Sequence, residues 1–186
     1  MTAAADTANW EARPAPRVKQ EGLAEGRGIA FVQYENSVAY VATMAQVQVD
    51  TSTGAVRVKR IVVAHDCGLI INPDGLQNQI EGNIIQSLSR ALKEEVQYDE
   101  LRLTSTDWQS YPILTFSEAP EVDVVLIDRR DQPAVGAGEP LTVTTAAAVA
   151  NAIFDATGAR VRQVPFTPQR VKAVLSEQST ADPEEK

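Results

Sequence analysis

Two stretches of the front half, residues 28–36 and 38–50, alternate β-branched, aromatic and small residues with polar ones, and a third, 55–64, runs apolar and β-branched again. A period of two exposes opposite faces to opposite environments, which commits this part of the chain to strands. Thr51-Ser52-Thr53-Gly54 separates the last two stretches and predicts a hairpin bending at Thr53-Gly54. The period then changes. Leu76, Ile80, Ile84, Leu88, Ala91 and Val96 fall mostly three or four apart, widened by Ile85 and Leu92, and predict a helix over 76–96 with one buried face. Residues 98–103 read as a small β excursion, 108–116 as an irregular aromatic-rich segment and 121–127 as a further strand. An alanine-rich run over 141–156 reads as a helix stopped by Gly158. Thr167 as N-cap and Pro168 at the first helical position open a short helix reaching about Ser176.

Residues 1–27, broken by Pro14, Pro16, Gly22, Gly26 and, at their end, Gly28, read as a lead-in, 28–175 as one domain and 176–186 as a tail. The order of elements predicts an α+β fold, a mixed or antiparallel sheet covered by helices. With 25 acidic against 17 basic side chains the formal charge is -8, which disfavours nucleic acid and anionic membrane surfaces as partners. Cys67 is the single cysteine, so neither an internal disulfide nor an iron–sulfur cluster on this chain's own thiolates is possible. No metal site is expected from its own side chains. There is no basic leader and no apolar run of the roughly 18 residues that a membrane span requires, so the expected setting is cytoplasmic.

The chemistry concentrates in two places. Gly136-Ala137-Gly138-Glu139-Pro140 joins a loop to a helix, where glycines let the backbone lie against a ligand and the helix start favours negative charge. Glu139 reads either as a general base or as a first-turn acid complementing the helix dipole. Gln79, Gly82 and Gln86, three and four apart, share a helix face on which two amides could grip a ligand. Gly82, costing about 1 kcal/mol in a helix interior, reads equally as a ligand approach or as close helix packing. His65, Asp66 and Cys67 end a strand, where packing and turn capping account for them better than a thiol nucleophile does. The charged pairs in Glu94-Glu95 and Asp128-Arg129-Arg130-Asp131 read as solvated faces.

Taken in order, His65-Asp66-Cys67-Gly68 with Ile71-Asn72-Pro73, Gln79-Ile80-Glu81-Gly82 with Gln86, and Gly136-Ala137-Gly138-Glu139-Pro140 resemble the C-terminal part of the molybdenum hydroxylase large subunits, the xanthine dehydrogenase and aldehyde oxidase family. Ser105-Thr106-Asp107-Trp108 and Ser110-Tyr111-Pro112-Ile113 add to a likeness strongest toward the bacterial isoquinoline and nicotinate enzymes. The resemblance implies that Glu139 is the catalytic base and that Gln79 contacts the pterin, while Gly136, Ala137 and Gly138 line the metal centre. It implies a molybdenum–molybdopterin cofactor, with the cytosine dinucleotide form expected, a small-molecule heterocycle or aldehyde as substrate, and water as oxygen donor. The rest of the molybdenum subunit would come from a companion chain if this is a split subunit, or from the remainder of the same polypeptide if it is one domain of a longer chain, and an iron–sulfur subunit would receive the electrons. Asn83, Ser87 and Ser89 stand where many relatives carry glycine, and Arg90 adds a charge. The competing reading is a scaffold domain of the same fold that binds no cofactor; a small nucleotide-binding module is disfavoured because no Lys-Ser or Lys-Thr follows the glycine loop.

Overall fold

A computed structural model describes residues 1–11, 22–35 and 39–181. Pro14 and Pro16 of the lead-in, the strand ends at Asn36 and Val38, and residues 182–186 of the tail lie outside the described residues.

Four strands form one mixed sheet in the order β1-β2-β3-β4: β1 (Leu23–Tyr34), β2 (Ala39–Asp50), β3 (Val56–Asp66) and β4 (Glu121–Ile127). The first three are antiparallel neighbours, and β4 lies parallel to β3 after a crossover through α2 (Pro73–Leu92). The β2–β3 hairpin bends where expected, with Gly54 N–H donating to Asp50 O at 2.7 Å. Register shifts at Gln46/Val47, where Arg60 and Val58 pair and Lys59 is passed over. This bulge changes the phase of β3, so that Val58 and, three residues on, Ile61 both face one core.

That core lies between the sheet and the helices α2, α3 (Pro140–Thr157) and α4 (Pro168–Ala181). Ile80, Ile84 and Leu88 of α2 are fully buried, each stabilising the fold by roughly 1.5–3 kcal/mol. β1 lies almost directly on α3. A Cβ at Gly28 would strike the Ala148 carbonyl and the Ala152 amide nitrogen, and one at Gly26 would strike Ala152 and Ala156. Polar ties reinforce the approach: Arg27 N–H donates to Asp155 Oδ2 at 2.7 Å and Asn151 Nδ2 to Ile29 O at 2.9 Å. Gly158 ends α3 in the left-handed region with φ 73°, the conformation that glycine adopts without a Cβ penalty.

Several boundaries differ from the sequence reading. β1 begins at Leu23, so residues 23–27 belong to the sheet. Gly26 and Gly28, read as chain breakers, are there because α3 leaves no room for a side chain. Residues within the lead-in also form a short helix, α1 (Thr2–Thr7), whose Ala4 packs on Ala42 and Ala64 on the face of the sheet away from α3. α2 starts at Pro73, where Asn72 Oδ1 accepts from Gly75 N–H, and ends at Leu92, leaving Val96 exposed. Past the helix end the next charged residues take tertiary partners rather than forming a solvated face: Lys93 pairs with Glu118, Glu94 accepts from Tyr111 and Glu95 pairs with Arg170. The β excursion at 98–103 is a single bridge between Tyr98 and Leu103, and α4 continues five residues past Ser176. No helix among the described residues is long and apolar enough to cross a membrane.

Candidate functional site

The ends of β1, β3 and β4 lie at one edge of the sheet, since Tyr34 pairs with Ala39, Tyr40 with Asp66 and Asp66 with Ile127. Loops leaving the C-terminal ends of parallel strands commonly form ligand sites in α/β sheets. Here the 128–139 loop folds back on the 67–69 turn through Arg129 N–H to Gly68 O, Leu69 N–H to Gln132 O and Val135 N–H to Cys67 O, at 3.1, 3.3 and 3.0 Å. An ion pair between Arg129 and Asp66 at 3.3 Å closes the same junction. The charges of 128–131 therefore hold the loop's base as well as facing water. Arg130, at 2.8 Å from Asp128, lowers that carboxyl's pKa.

Beneath the loop sits His65, fully buried, with neither ring nitrogen in a hydrogen bond of good geometry. Burial pushes its imidazole pKa down, and the nearby Ala137 backbone opposes this only in part, so the ring is neutral near pH 7. Cys67 is buried too, and burial pushes its thiol up, away from a reactive thiolate.

The glycine loop and the α2 face meet at Gly138. A Cβ on Gly138 would come within 3.0 Å of the Gln79 amide nitrogen, and Asn83 Nδ2 donates to Gly138 O at 2.7 Å. Ser87 Oγ in turn donates to Asn83 Oδ1 at 3.1 Å, so both ends of the Asn83 amide are satisfied. Asn83 and Ser87 thus form a chain of hydrogen bonds fastening the loop to the helix. Ser89, buried, accepts from Leu114 N–H at 2.9 Å and anchors the irregular segment instead.

Gln79, Gly82 and Gln86 line the exposed side of α2. A Cβ at Gly82 or at Gly136 would meet nothing within 4 Å, and neither glycine has a positive φ. Packing within the chain therefore does not explain Gly82. Ala137 and Gly138 are partly buried, whereas Gly136 and Glu139 are exposed. Glu139 is the N-cap residue of α3 but makes no side-chain cap bond. Its Oε2 accepts a 2.7 Å hydrogen bond from the Tyr34 hydroxyl, at the far end of β1.

Sequence reasoning missed the contacts of two of these residues. Asn83 was within reach, because it stands four residues after Gln79 and so on the same side of the helix. Tyr34 carried no local signal, since its partner is 105 residues away. Replacing Asn83 by alanine is expected to cost about 1 kcal/mol and to speed amide exchange in 136–139, because the Gly138 carbonyl loses its donor. Unchanged exchange there would show that the loop is held without Asn83.

The molybdopterin cofactor-binding domain family matches residues 24–120, about half of the chain. A nicotinate dehydrogenase chain of Pseudomonas putida is 46% identical over 183 residues, which cover 94% of this chain and 15% of that protein. The beta chain of isoquinoline 1-oxidoreductase from Brevundimonas diminuta is 33% identical over 164 residues, 88% of this chain and 20% of that protein. The crystal structure of quinoline 2-oxidoreductase from Pseudomonas putida 86 superimposes with a TM-score of 0.70 at 33% identity, over 75% of this chain and 19% of that one. The chain spans about a fifth or less of the length of each of these relatives. Matched by the family over half its length and by these relatives over most of it, the chain belongs to the molybdopterin cofactor-binding domain of the molybdenum hydroxylase family.

Proposed function

We propose that this chain completes the molybdopterin site of a molybdenum hydroxylase that oxidises an N-heterocycle or an aldehyde with water as the oxygen source. The observation that carries this reading is the pair of glycines, Gly82 and Gly136, whose bare backbones border open space in the two segments that meet where Gly138 approaches Gln79. Gly82 stands in a helix interior, where glycine costs about 1 kcal/mol, and Gly136 in a loop; neither packing within the chain nor a positive φ requires either of them. A flat, polar ligand lying on the surface does. The residues fit a pterin: the Gln79 amide can both donate and accept, and the bare backbone permits close approach.

The overall conversion takes R–H and water to R–OH with release of two electrons and two protons. When bound, the molybdenum–pterin group supplies the two-electron acceptor. Glu139 would take a proton from the water-derived oxygen nucleophile, and Gly136, Ala137 and Gly138 would line the metal centre. Gln79, with Gly82 and Gln86 on the same side of α2, holds the pterin, for which the cytosine dinucleotide form is our proposal. Nicotinate, isoquinoline and quinoline, named for the relatives, are all N-heterocycles, which favours that substrate class.

Electrons leave to an iron–sulfur subunit, and the rest of the molybdenum subunit, whether a companion chain or further parts of a longer polypeptide, encloses the substrate. Support for a companion comes from the irregular segment, where Tyr98, Leu101, Trp108 and Phe116 stand open to solvent, Leu101 at 93% and Phe116 at 100%. Apolar surface on that scale marks an interface.

Gly82→Leu is the test. Stability should hold or rise slightly, since leucine favours helix and its Cβ would meet nothing within 4 Å, while molybdenum and pterin content of the assembled complex should fall severalfold. Full cofactor content in that variant would defeat the reading. A variant that loses its companion chain instead would assign the open space to protein packing, as a scaffold domain requires.

A further inference from the structure

We propose that Tyr34 is a positioning residue for Glu139, its phenol holding Oε2 so that the carboxylate presents Oε1 to the reacting proton. This rests on the reading of Glu139 as base. The geometry begins with the apposition of β1 on α3, which run in opposite directions. Arg27 meets Asp155, Ile29 meets Asn151 and Tyr34 meets Glu139, three ties in antiparallel order along one strand and one helix. The lengths agree. From Gly28 to Tyr34 a strand advances about 20 Å, and from the Ala148–Ala152 contact back to Glu139 a helix covers about 14–20 Å. The last residue of β1 is thereby delivered to the first turn of α3, and the close packing at Gly26 and Gly28 keeps it there.

Glu139 needs such a partner. Its side chain makes no cap bond, is exposed, and has three rotatable bonds whose freedom is worth up to about 2 kcal/mol. A phenol–carboxylate bond of 2.7 Å is charge-assisted and directional, and it selects one rotamer. Proton transfer depends steeply on such placement. Tyr34 is also a dependable donor. The hydrogen bond to Glu139, followed by desolvation and the charges of Glu139 and Glu35, raises its pKa, so the hydroxyl keeps its proton at and above neutrality.

The test uses the assembled, cofactor-loaded complex with the wild-type chain, Tyr34→Phe and Glu139→Gln. Tyr34→Phe should lower kcat about tenfold while KM and the molybdenum and pterin content stay unchanged. In parallel, fluorotyrosine is placed at position 34 and its fluorine resonance followed through the alkaline range. Its ionisation should move to lower pH in the Glu139→Gln background, where the carboxylate charge is gone. An unchanged kcat in Tyr34→Phe, or a titration at position 34 indifferent to Glu139→Gln, overturns the proposal. If Glu139→Gln shifts that titration yet still turns over, the contact exists but the base role fails, and the positioning role fails with it.

Discussion

Glu139→Gln is expected to lower turnover of the assembled complex by about a hundredfold to ten-thousandfold, equivalent to roughly 2.7–5.5 kcal/mol of activation free energy. Molybdenum and pterin content should stay as in the wild type. The substitution separates chemistry from geometry: glutamine matches glutamate in shape, and its carbonyl can still accept the Tyr34 hydroxyl bond, but it cannot take a proton at neutral pH. Steady-state kinetics and metal analysis on the same preparation check both halves. Substantial turnover in a fully loaded variant would remove Glu139 from the reaction and leave it as a first-turn acid of α3.

The second large effect is structural. Gly28→Val should destabilise the chain by about 3 kcal/mol or more, because the atoms that its Cβ would strike are helix backbone, at Ala148 and Ala152, and cannot swing aside as a side-chain tip would. A domain with a stability of about 5–15 kcal/mol does not absorb this comfortably. Where the protein still folds, β1 and α3 must separate, so Tyr34 and Glu139 part company and activity falls together with stability. Urea unfolding of the variant measures the first effect and kcat of the complex the second. A wild-type unfolding midpoint would mean that the strand and the helix do not approach as closely as described. Gly82→Leu is the natural contrast, at a glycine where an added Cβ would meet no described atom within 4 Å.

Much of this architecture is legible in the amino-acid sequence, because it depends on neighbours in the chain. The bend at Thr53-Gly54, the buried stripe of Ile80, Ile84 and Leu88, the Gly158 stop and the Thr167 cap are local consequences of turn chemistry, helical period and hydrogen bonding. The motifs around Gln79, Glu139 and His65 are likewise readable as short strings, and together they point to the family to which the chain belongs.

Tertiary packing governed what those strings could not contain. Charge pairing with Glu118 and Arg170, not periodicity, accompanies the end of α2 at Leu92. Gly26 and Gly28 look like breakers until α3 lies across them, and Asn83 looks like a departure until Gly138 is beside it. Tyr34 finds Glu139 across 105 residues. Such contacts arise from the layering of sheet and helices, which brings distant side chains within ångströms, whereas helical and strand periods act only over a few residues.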